Sequence, residues 1–567
     1  MRPLRLLSAL LFALVFAAAC AQPQPGAPIL PAGYFPTPTQ TPPQPTPIPT
    51  PEAIRGPITL ALAENLSEEY ATPLLGGLMQ IESLAGVDGD VTLEVLDRPT
   101  HATTRIGWRT LPSAPRRLAE RYFAAVVPFA TVTDDIALET LQMRWLGLDP
   151  RPILVTADTA QQLRPAMGAG QVQVVERALL LPTLQGTPDA IAILPFDLVD
   201  PSYKVLTIDG RNVLSNEFDP ATYPLAVGLA VEGEGAGQIH ARLQDTITPY
   251  TNRDPAKLTT LIMTGVTAIS RGTAAAIERT HLTYPADVIS ATLRAGDIVH
   301  VSNEVPFLDD CAVNNTLNNL VLCSHTDYWE ILEAIGTNIV GLSGNHVNDF
   351  GREGARRSLQ FYADNEIAHY GSGLTVEEAC TPLFWEHNGN TFAFVAVIAF
   401  GPETAWATAD QPGACHFYDR VDEIHALVEE LAEQVDIVAI ELQYYEHYDA
   451  RPTPQQVAEF RELRARGAKI VTGVQSHVPQ AWEPYGATDP GGPGMILYGL
   501  GNLFFDQMWS WETRTNLIAR HTIYQGRVLN TEILTTVLED FAQPRWTDAE
   551  ERAALLQRIF NAMPARP

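Results

Sequence analysis

The sequence predicts an α/β fold with more than one domain, on three observations. The second half alternates short apolar runs of strand type with amphipathic helix patterns, the rhythm of helices packed on a largely parallel sheet. Glycine-flanked polar strings, GNHVNDFG (344–351), GVQSHVPQ (473–480) and YGLGNLFFD (498–506), follow such runs, where an α/β sheet presents its chemistry. The chain has 567 residues of ordinary globular composition, 46% hydrophobic and 18% charged, too many for a single core.

The N-terminus reads as an export signal. Arg2 and Arg5 precede the apolar run Leu6 to Ala19, which is short for a membrane span and ends in Ala17-Ala18-Ala19-Cys20. Small residues before a cysteine resemble a bacterial lipobox, so Cys20 is the expected lipidation site, with an ordinary secretory signal as the alternative. From Gln22 to Pro51, 12 of 30 residues are proline, a composition that favours extended polyproline II over a packed core. Residues 1–20 are thus expected to be a lipoprotein signal peptide, 21–54 a Pro-rich linker, and the protein exported and anchored extracytoplasmically to the membrane through lipid. The net charge of −29 argues against nucleic acid as a partner and suits solubility. Beyond Cys20 there remain Cys311, Cys323, Cys380 and Cys415, an even number in an exported chain. Three pairings are possible. Cys311–Cys323 with Cys380–Cys415 closes the shortest loops and is expected; no Cys-x-x-Cys spacing supports zinc.

In chain order, strands are predicted at Ile58 to Ala63, Val91 to Leu96 and Arg121 to Ala130, then a helix over Thr133 to Trp145 and strands at Ala190 to Pro195 and Lys204 to Ile208. The second half predicts helix Asp327 to Ile335, strand Asn338 to Leu342, helix Arg352 to Asp364, strands Ile367 to Tyr370 and Thr391 to Phe400, helix Val421 to Gln434 and strand Val435 to Leu442. Thr453, Pro454 and Gln456 read as the capping box of a helix ending at Gly467, before strand Ala468 to Thr472. A last helix follows Thr547, with Glu550 in its cap.

VVPFATVTDDIALETLQMRWLG, AIAILPFDLVDPSYKVLTIDG and YPLAVGLAV together resemble periplasmic solute-binding proteins of the phosphate-binding type, over an expected domain 55–252. No Gly-Ser-Gly or Thr-rich loop is present to cradle an oxyanion. Five ordered blocks in the second half, LIMTGVTAISR, GDIVHVSNEVPF, LSGNHVNDFGREG, IELQYYEHYDARPTPQQ, and GVQSHVPQAWEPYG with YGLGNLFFD, resemble the CapA family of capsule and poly-γ-glutamate biosynthesis proteins, within the calcineurin-like metallophosphoesterases. The resemblance implies a metallophosphoesterase-like αββα sandwich over 257–535, leaving 536–567 as a helical tail. It also implies a role in making or anchoring an extracellular polymer, with that polymer or its precursor as partner. The alternative is a non-catalytic lipoprotein that only binds a polymer or solute.

By the same resemblance, Asn345 would be a metal ligand, His346 an acid-like histidine and His477 a late metal ligand, with Asn303 and Glu304 at the site. Asp349 orients Asn345 or caps the next helix. Glu446 is a third catalytic candidate, set among tyrosines in either a solvated loop or a cleft wall. Asn502 either pins its loop or meets ligand, and Arg271 holds an anion or an ion pair. His477 reads as a site residue or a bonded core histidine, and Trp509 as rim or core. The chain departs from the family where ligands are expected. Val266 stands for an aspartate, Gln443 for a histidine, and Gln475 for the first histidine of a His-x-His. Amide oxygens bind first-row cations poorly. The expectation is therefore at most one divalent metal, weakly bound, and a site whose chemistry, if any, is that of a metallophosphoesterase-like hydrolase or transferase.

Overall fold

The computed structural model describes residues 54–565 except 65, 317 and 488–491; the expected signal peptide, Cys20 and nearly all of the expected Pro-rich linker lie outside the described residues. From Glu52 onward the chain clusters as one compact unit. Its first half is built on a nine-stranded mixed sheet centred on Arg117–Pro128, Ala226–Gly233 and Thr104–Thr110. The second half holds two sheets. One has eight strands and includes the parallel neighbours Leu258–Thr267, Ile298–Asn303, Ile339–Gly341 and Ala368–Tyr370. The other has six, with Asn390–Ile398, Ile437–Gln443, Ile470–Val474 and Gly494–Leu497 parallel in that order.

The two-residue period of strands explains why these sheets stack. In Ile437–Gln443, Ile437 and Ala439 enter the core shared by both sheets, while Val438, Ile440 and Leu442 pack under helices Val421–Gln434 and Pro454–Ala465. In the facing sheet, Leu261, Ile298 and Ile339 point into the shared core, and Ile262, Val301 and Val340 point out to the helices carrying Ile277, Leu293 and Leu359. The result is helix, sheet, sheet, helix, as the resemblance implied.

Most elements fall where the sequence placed them, with physical reasons for the differences. Lys204 to Ile208 is broken into Tyr203–Val205 and Thr207–Ile208, because the first piece pairs with Arg117–Pro128 and the second with Asp135–Ile136. That second pairing also delays the helix start to Leu138. Gln456 does not complete a capping box. Thr453 caps alone, and the Gln456 amide is buried, donating to Gln480 Oε1 and the Tyr498 carbonyl. The final helix, Ala549–Asn561, is capped by a reciprocal Asp548–Glu551 box, one residue later than expected. The boundary placed at 535 falls inside strand Arg527–Glu539, and a further strand, Gln543–Trp546, precedes the last helix. Both expected disulfides, Cys311–Cys323 and Cys380–Cys415, are formed. Among the described residues, no helix is long and apolar enough to cross a membrane.

The first half meets the second through specific bonds. Asp134 takes a bidentate ion pair from Arg552 at 2.6 and 2.9 Å and a third contact from Lys204 at 2.6 Å. Asn530 donates to the Tyr203 carbonyl, and Tyr524 and Leu529 join the core of the first half.

Gly265 lets the Leu258–Thr267 strand lie against the loop that precedes Asn502: a Cβ there would come within 2.1 Å of the Gly501 carbonyl oxygen. Backbone cannot yield as a side-chain end can. Gly265→Ala is expected to lower stability by about 2 kcal/mol, within the overpacking range, measured as a shift of the urea midpoint; an unchanged midpoint would contradict this packing.

Candidate functional site

The inward-facing residues of the facing strands turn polar towards their C-terminal ends. Parity places His300, Ser302 and Glu304 on the inner face of one strand, and Glu441 and Gln443 on the inner face of the other. Glu304 is 1% exposed and Gln443 1% exposed. Asn345 arrives on the turn after Ile339–Gly341. Gly344 makes that approach possible, since a Cβ on it would strike the Glu304 Cα at 2.3 Å. Gln475 follows Ile470–Val474 with a left-handed φ of 84°, and His477 has φ 55°. Two non-glycine residues held in this region within three positions mark a loop whose conformation is imposed by its surroundings.

These tips meet at one atom. Gln443 Nε2 donates to Glu304 Oε2 at 3.2 Å, to Asn345 Oδ1 at 3.1 Å, and closely to Gln475 Oε1. Four of the residues expected at the site are therefore brought together, by side chains from both sheets. Beside them lies a dyad: His346 Nδ1 and Asp349 Oδ2 are 2.7 Å apart, and the Leu322 N–H donates to the same Asp349 oxygen at 2.7 Å. Burial alone would lower the His346 pKa, but the Asp349 hydrogen bond and the Glu304 charge outweigh it and raise the imidazole above its ordinary value. Asp349 therefore orients His346, where the sequence pointed to Asn345 or the next helix's cap.

The remaining candidates divide. His477 is 3% exposed with Nδ1 bonded to Asn502 Oδ1 at 2.8 Å and Nε2 3.7 Å from Glu446 Oε1. That imidazole holds the Glu446 carboxyl below its usual range, so the loop carrying Glu446 forms the wall beside the cluster. Asn502 pins its surroundings, donating to the His477 carbonyl, Gln507 Oε1 and the Thr513 carbonyl. Arg271 pairs with Asp506 at 2.5 Å and lies over the Phe505 ring. Asn303 is not in the cluster. It sits one residue out of phase with Glu304, on the outer face, where Nδ2 donates to Tyr362 OH and the Val305 carbonyl.

The donor set does not fit a pair of first-row cations. Among the described residues no three His, Cys, Asp or Glu side chains gather as a metal-holding group. The cluster offers one carboxylate and amides, His477 is engaged on Nδ1, and Val266 packs with Val305, Val474 and Phe505 in an apolar group. What the arrangement offers instead is hydrogen-bond donors and acceptors beside the Asp349-bonded His346 imidazole. Glu304 Oε1, Gln443 Oε1 and Gln475 Nε2 are buried with no hydrogen-bond partner.

A second polar layer, directly behind the first, was missed from sequence. Glu441 accepts from Ser302 Oγ at 3.0 Å and is 3.9 Å from His300 Nε2, which bonds to Tyr370 OH at 2.9 Å. This is no ion pair. Burial pushes Glu441 up to about 7, the Ser302 bond pulling back only in part, and holds His300 down at about 3. Gly341 makes room, since a Cβ there would meet Glu441 Oε1 at 2.7 Å. The one legible signal was a lone glutamate in the buried run IVAIELQ, two residues before Gln443 and hence on its face.

Two facing sheets with a buried polar cluster at the shared C-terminal ends of their strands define a sandwich of the class that carries its site on strand tips. Residues 260–507 match the family model described as bacterial capsule synthesis protein PGA_cap. Similar curated proteins include a capsule biosynthesis protein CapA of Bacillus anthracis, 24% identical over 304 residues, covering 53% of this chain and 72% of that protein. Another is a PGA biosynthesis protein CapA of Bacillus subtilis (strain 168), 23% identical over 239 residues, covering 42% of this chain but only 61% of that protein. The 260–507 segment is thus similar to the CapA proteins of capsule and PGA biosynthesis. Among solved structures, an ABC-type phosphate transport receptor from Vibrio cholerae covers 34% of this chain and 94% of its own at 16% identity and a TM-score of 0.24. The NAD nucleotidase of Haemophilus influenzae covers 53% and 56% at 10% identity and a TM-score of 0.29.

This geometry has two measurable consequences. Gln443→His with Gln475→His adds two imidazoles beside Glu304 and Asn345, and zinc affinity by calorimetry is expected to rise at least about tenfold over the unmodified protein; no gain would mean the tips do not converge. Glu441 keeps its proton in the folded state up to about pH 7, whereas the unfolded chain releases it near its ordinary value of 4.5. Folded binds more protons between those values, so stability falls as pH rises through that window, by on the order of 3 kcal/mol. Unfolding in urea should show this loss in the unmodified protein and not in Glu441→Gln; parallel profiles would refute the buried acid.

Proposed function

We propose that this chain is an exported, lipid-anchored protein of capsule or poly-γ-glutamate-type polymer biosynthesis, acting in the making or anchoring of an extracellular polymer at the crevice around Gln443. The observation that carries the reading is the convergence of Glu304, Asn345, Gln443 and Gln475 at the strand ends of a CapA-family segment. The lipobox-like Cys20 and the Pro-rich stretch support the anchor, and the two disulfides support an oxidising compartment. The expected domains, a solute-binding-like 55–252 and a CapA-like 257–535, are kept in this proposal. The first is a spacer or receptor and the second is the working module.

The residues support proton handling more than metal chemistry. His346, oriented by Asp349 and partly open, can deliver a proton to a leaving oxygen or nitrogen in phosphoester or acyl transfer, or hold charge on a bound chain. Glu304 beside it raises its affinity for that proton. The amides orient a substrate by hydrogen bonds. A reading as a purely binding protein is favoured by one observation: the cluster side chains spend their bonds on one another. A single divalent ion, weakly held by the oxygens of Glu304, Asn345 and Gln475, is the most the donor set would carry; bound there, it would supply charge neutralisation.

The test is complementation in cells lacking the gene, scored by surface polymer at equal protein level. The unmodified protein is expected to restore polymer, with His346→Ala and Gln443→Ala severalfold lower and Cys20→Ala released from the membrane. If all variants restore polymer equally, the crevice is not the working site.

A further inference from the structure

A cavity of about 360 Å³ lies under the loop closed by the Cys311–Cys323 disulfide, against the start of helix Arg271–Arg279. That volume falls in the range of small-ligand sites. Its mouth is open and apolar: Val313, Val321 and Phe350 line it and are 41%, 52% and 44% exposed. Its walls reach the His346–Asp349 dyad. Leu322, a wall residue, donates its N–H to the Asp349 oxygen that bonds His346, and Phe350 follows Asp349 in the chain. The charge of Arg271, another wall residue, is felt at His346, where it opposes the proton.

The cavity also holds an unbonded hydroxyl. Ser270 immediately precedes the helix, where a serine ordinarily accepts a hydrogen bond from an N–H of the first turn. Here Asp506 Oδ2 has taken the Gly272 N–H at 2.8 Å. Ser270 lines the cavity, is 4% exposed, makes no cap bond, and its Oγ has no hydrogen-bond partner. A hydroxyl buried without a bond is destabilising, and a ligand group that bonds it relieves this. The charges nearby are already paired: Arg271 with Asp506 at 2.5 Å and the Asn319 carbonyl at 3.2 Å, Asp310 with Arg357 at 2.7 and 3.1 Å. An anionic group pushed into the cavity would face Asp310 and Asp506. A purely alkyl group would leave Ser270 unbonded. A neutral amide between short methylene stems meets both demands, with its N–H or C=O on Ser270 Oγ and its stems against Val313, Val321 and Phe350.

We propose that this cavity is a subsite for an amide-linked polymer chain, which it grips by main-chain amide and methylene groups while the carboxylates on that chain stay in water at the mouth. This rests on the reading of the neighbouring Gln443 cluster as the polymer site, and names the part of the polymer that is recognised. The subsite sets the chain beside the dyad that handles protons.

The test is calorimetry on the purified full-length protein with γ-linked and α-linked pentaglutamate at low and physiological salt. The γ-linkage puts side-chain methylenes into the main chain; the α-linkage leaves them on branches, at the same charge. The γ-linked probe is expected to bind at least about tenfold more tightly than the α-linked one, and no more weakly at the higher salt. Ser270→Ala should weaken it severalfold, the loss of one hydrogen bond. Ala312→Trp, at an exposed position lining the cavity, should fill it and remove binding, with thermal unfolding showing the fold intact. No binding, equal binding of the two probes, binding that falls steeply with salt, or binding that neither variant changes overturns the proposal. If that happens while His346→Ala and Gln443→Ala still lower surface polymer in cells, the cluster stands as the site and only the subsite falls. Binding as expected, with both of those variants restoring polymer fully, supports the subsite and overturns the reading of the cluster.

Discussion

A single primary amide holds the strand ends of two sheets together. Gln443 Nε2 has two hydrogens and three oxygen acceptors within reach, one of them on a carboxylate. Each acceptor comes from a different strand end, so the bond pattern fixes the relative height of four strands across the inter-sheet gap. A cation in such a position would draw the same oxygens inward. In this chain an N–H donor does so, and Val266, which stands where the resemblance expects an aspartate, packs with Val305, Val474 and Phe505. Removing the amide would leave Glu304 buried at 1% exposure with neither of its oxygens bonded, a costly state.

Around this hub the loops are held by redundant constraints. Leu322, next to the Cys311–Cys323 disulfide, donates its N–H to the same Asp349 oxygen that bonds His346, so a loop closed by a covalent bond also sets the imidazole. On the opposite side Asn502 bonds three partners besides the His477 ring, holding a loop in which Gln475 and His477 both adopt left-handed backbone. Strain of this kind persists only where packing over-determines it. It is stored here at the two residues that aim their side chains at, and beside, the hub.

Much of the second half was legible because the strands are short and buried, with flanking helices whose apolar faces have the right period. The site was legible through glycine: Gly344, Gly473 and Gly499 each stand where a neighbour approaches too closely for a Cβ, and the polar residues beside them were read as site residues. The features that escaped were set by partners far away in sequence. Asn303 and Glu304 are adjacent, and only the pairing of their strand decides which one faces the gap. Gln456 carried a capping signature but was claimed by Gln480 and Tyr498 across the sheet. Glu441 looked like one more residue in an apolar strand, and its meaning appeared only when Ser302 and His300 were found opposite it.

The decisive point is whether an amide, and not a metal pair, organises the strand ends. Crystals grown with manganese and examined by anomalous scattering at the manganese edge test this most directly. An amide hub predicts at most one weak, partly occupied peak beside Glu304, and Gln443 Nε2 within hydrogen-bond distance of the Glu304, Asn345 and Gln475 oxygens. Two strong peaks a few ångströms apart, ligated by Glu304, Asn345 and His477, would contradict it.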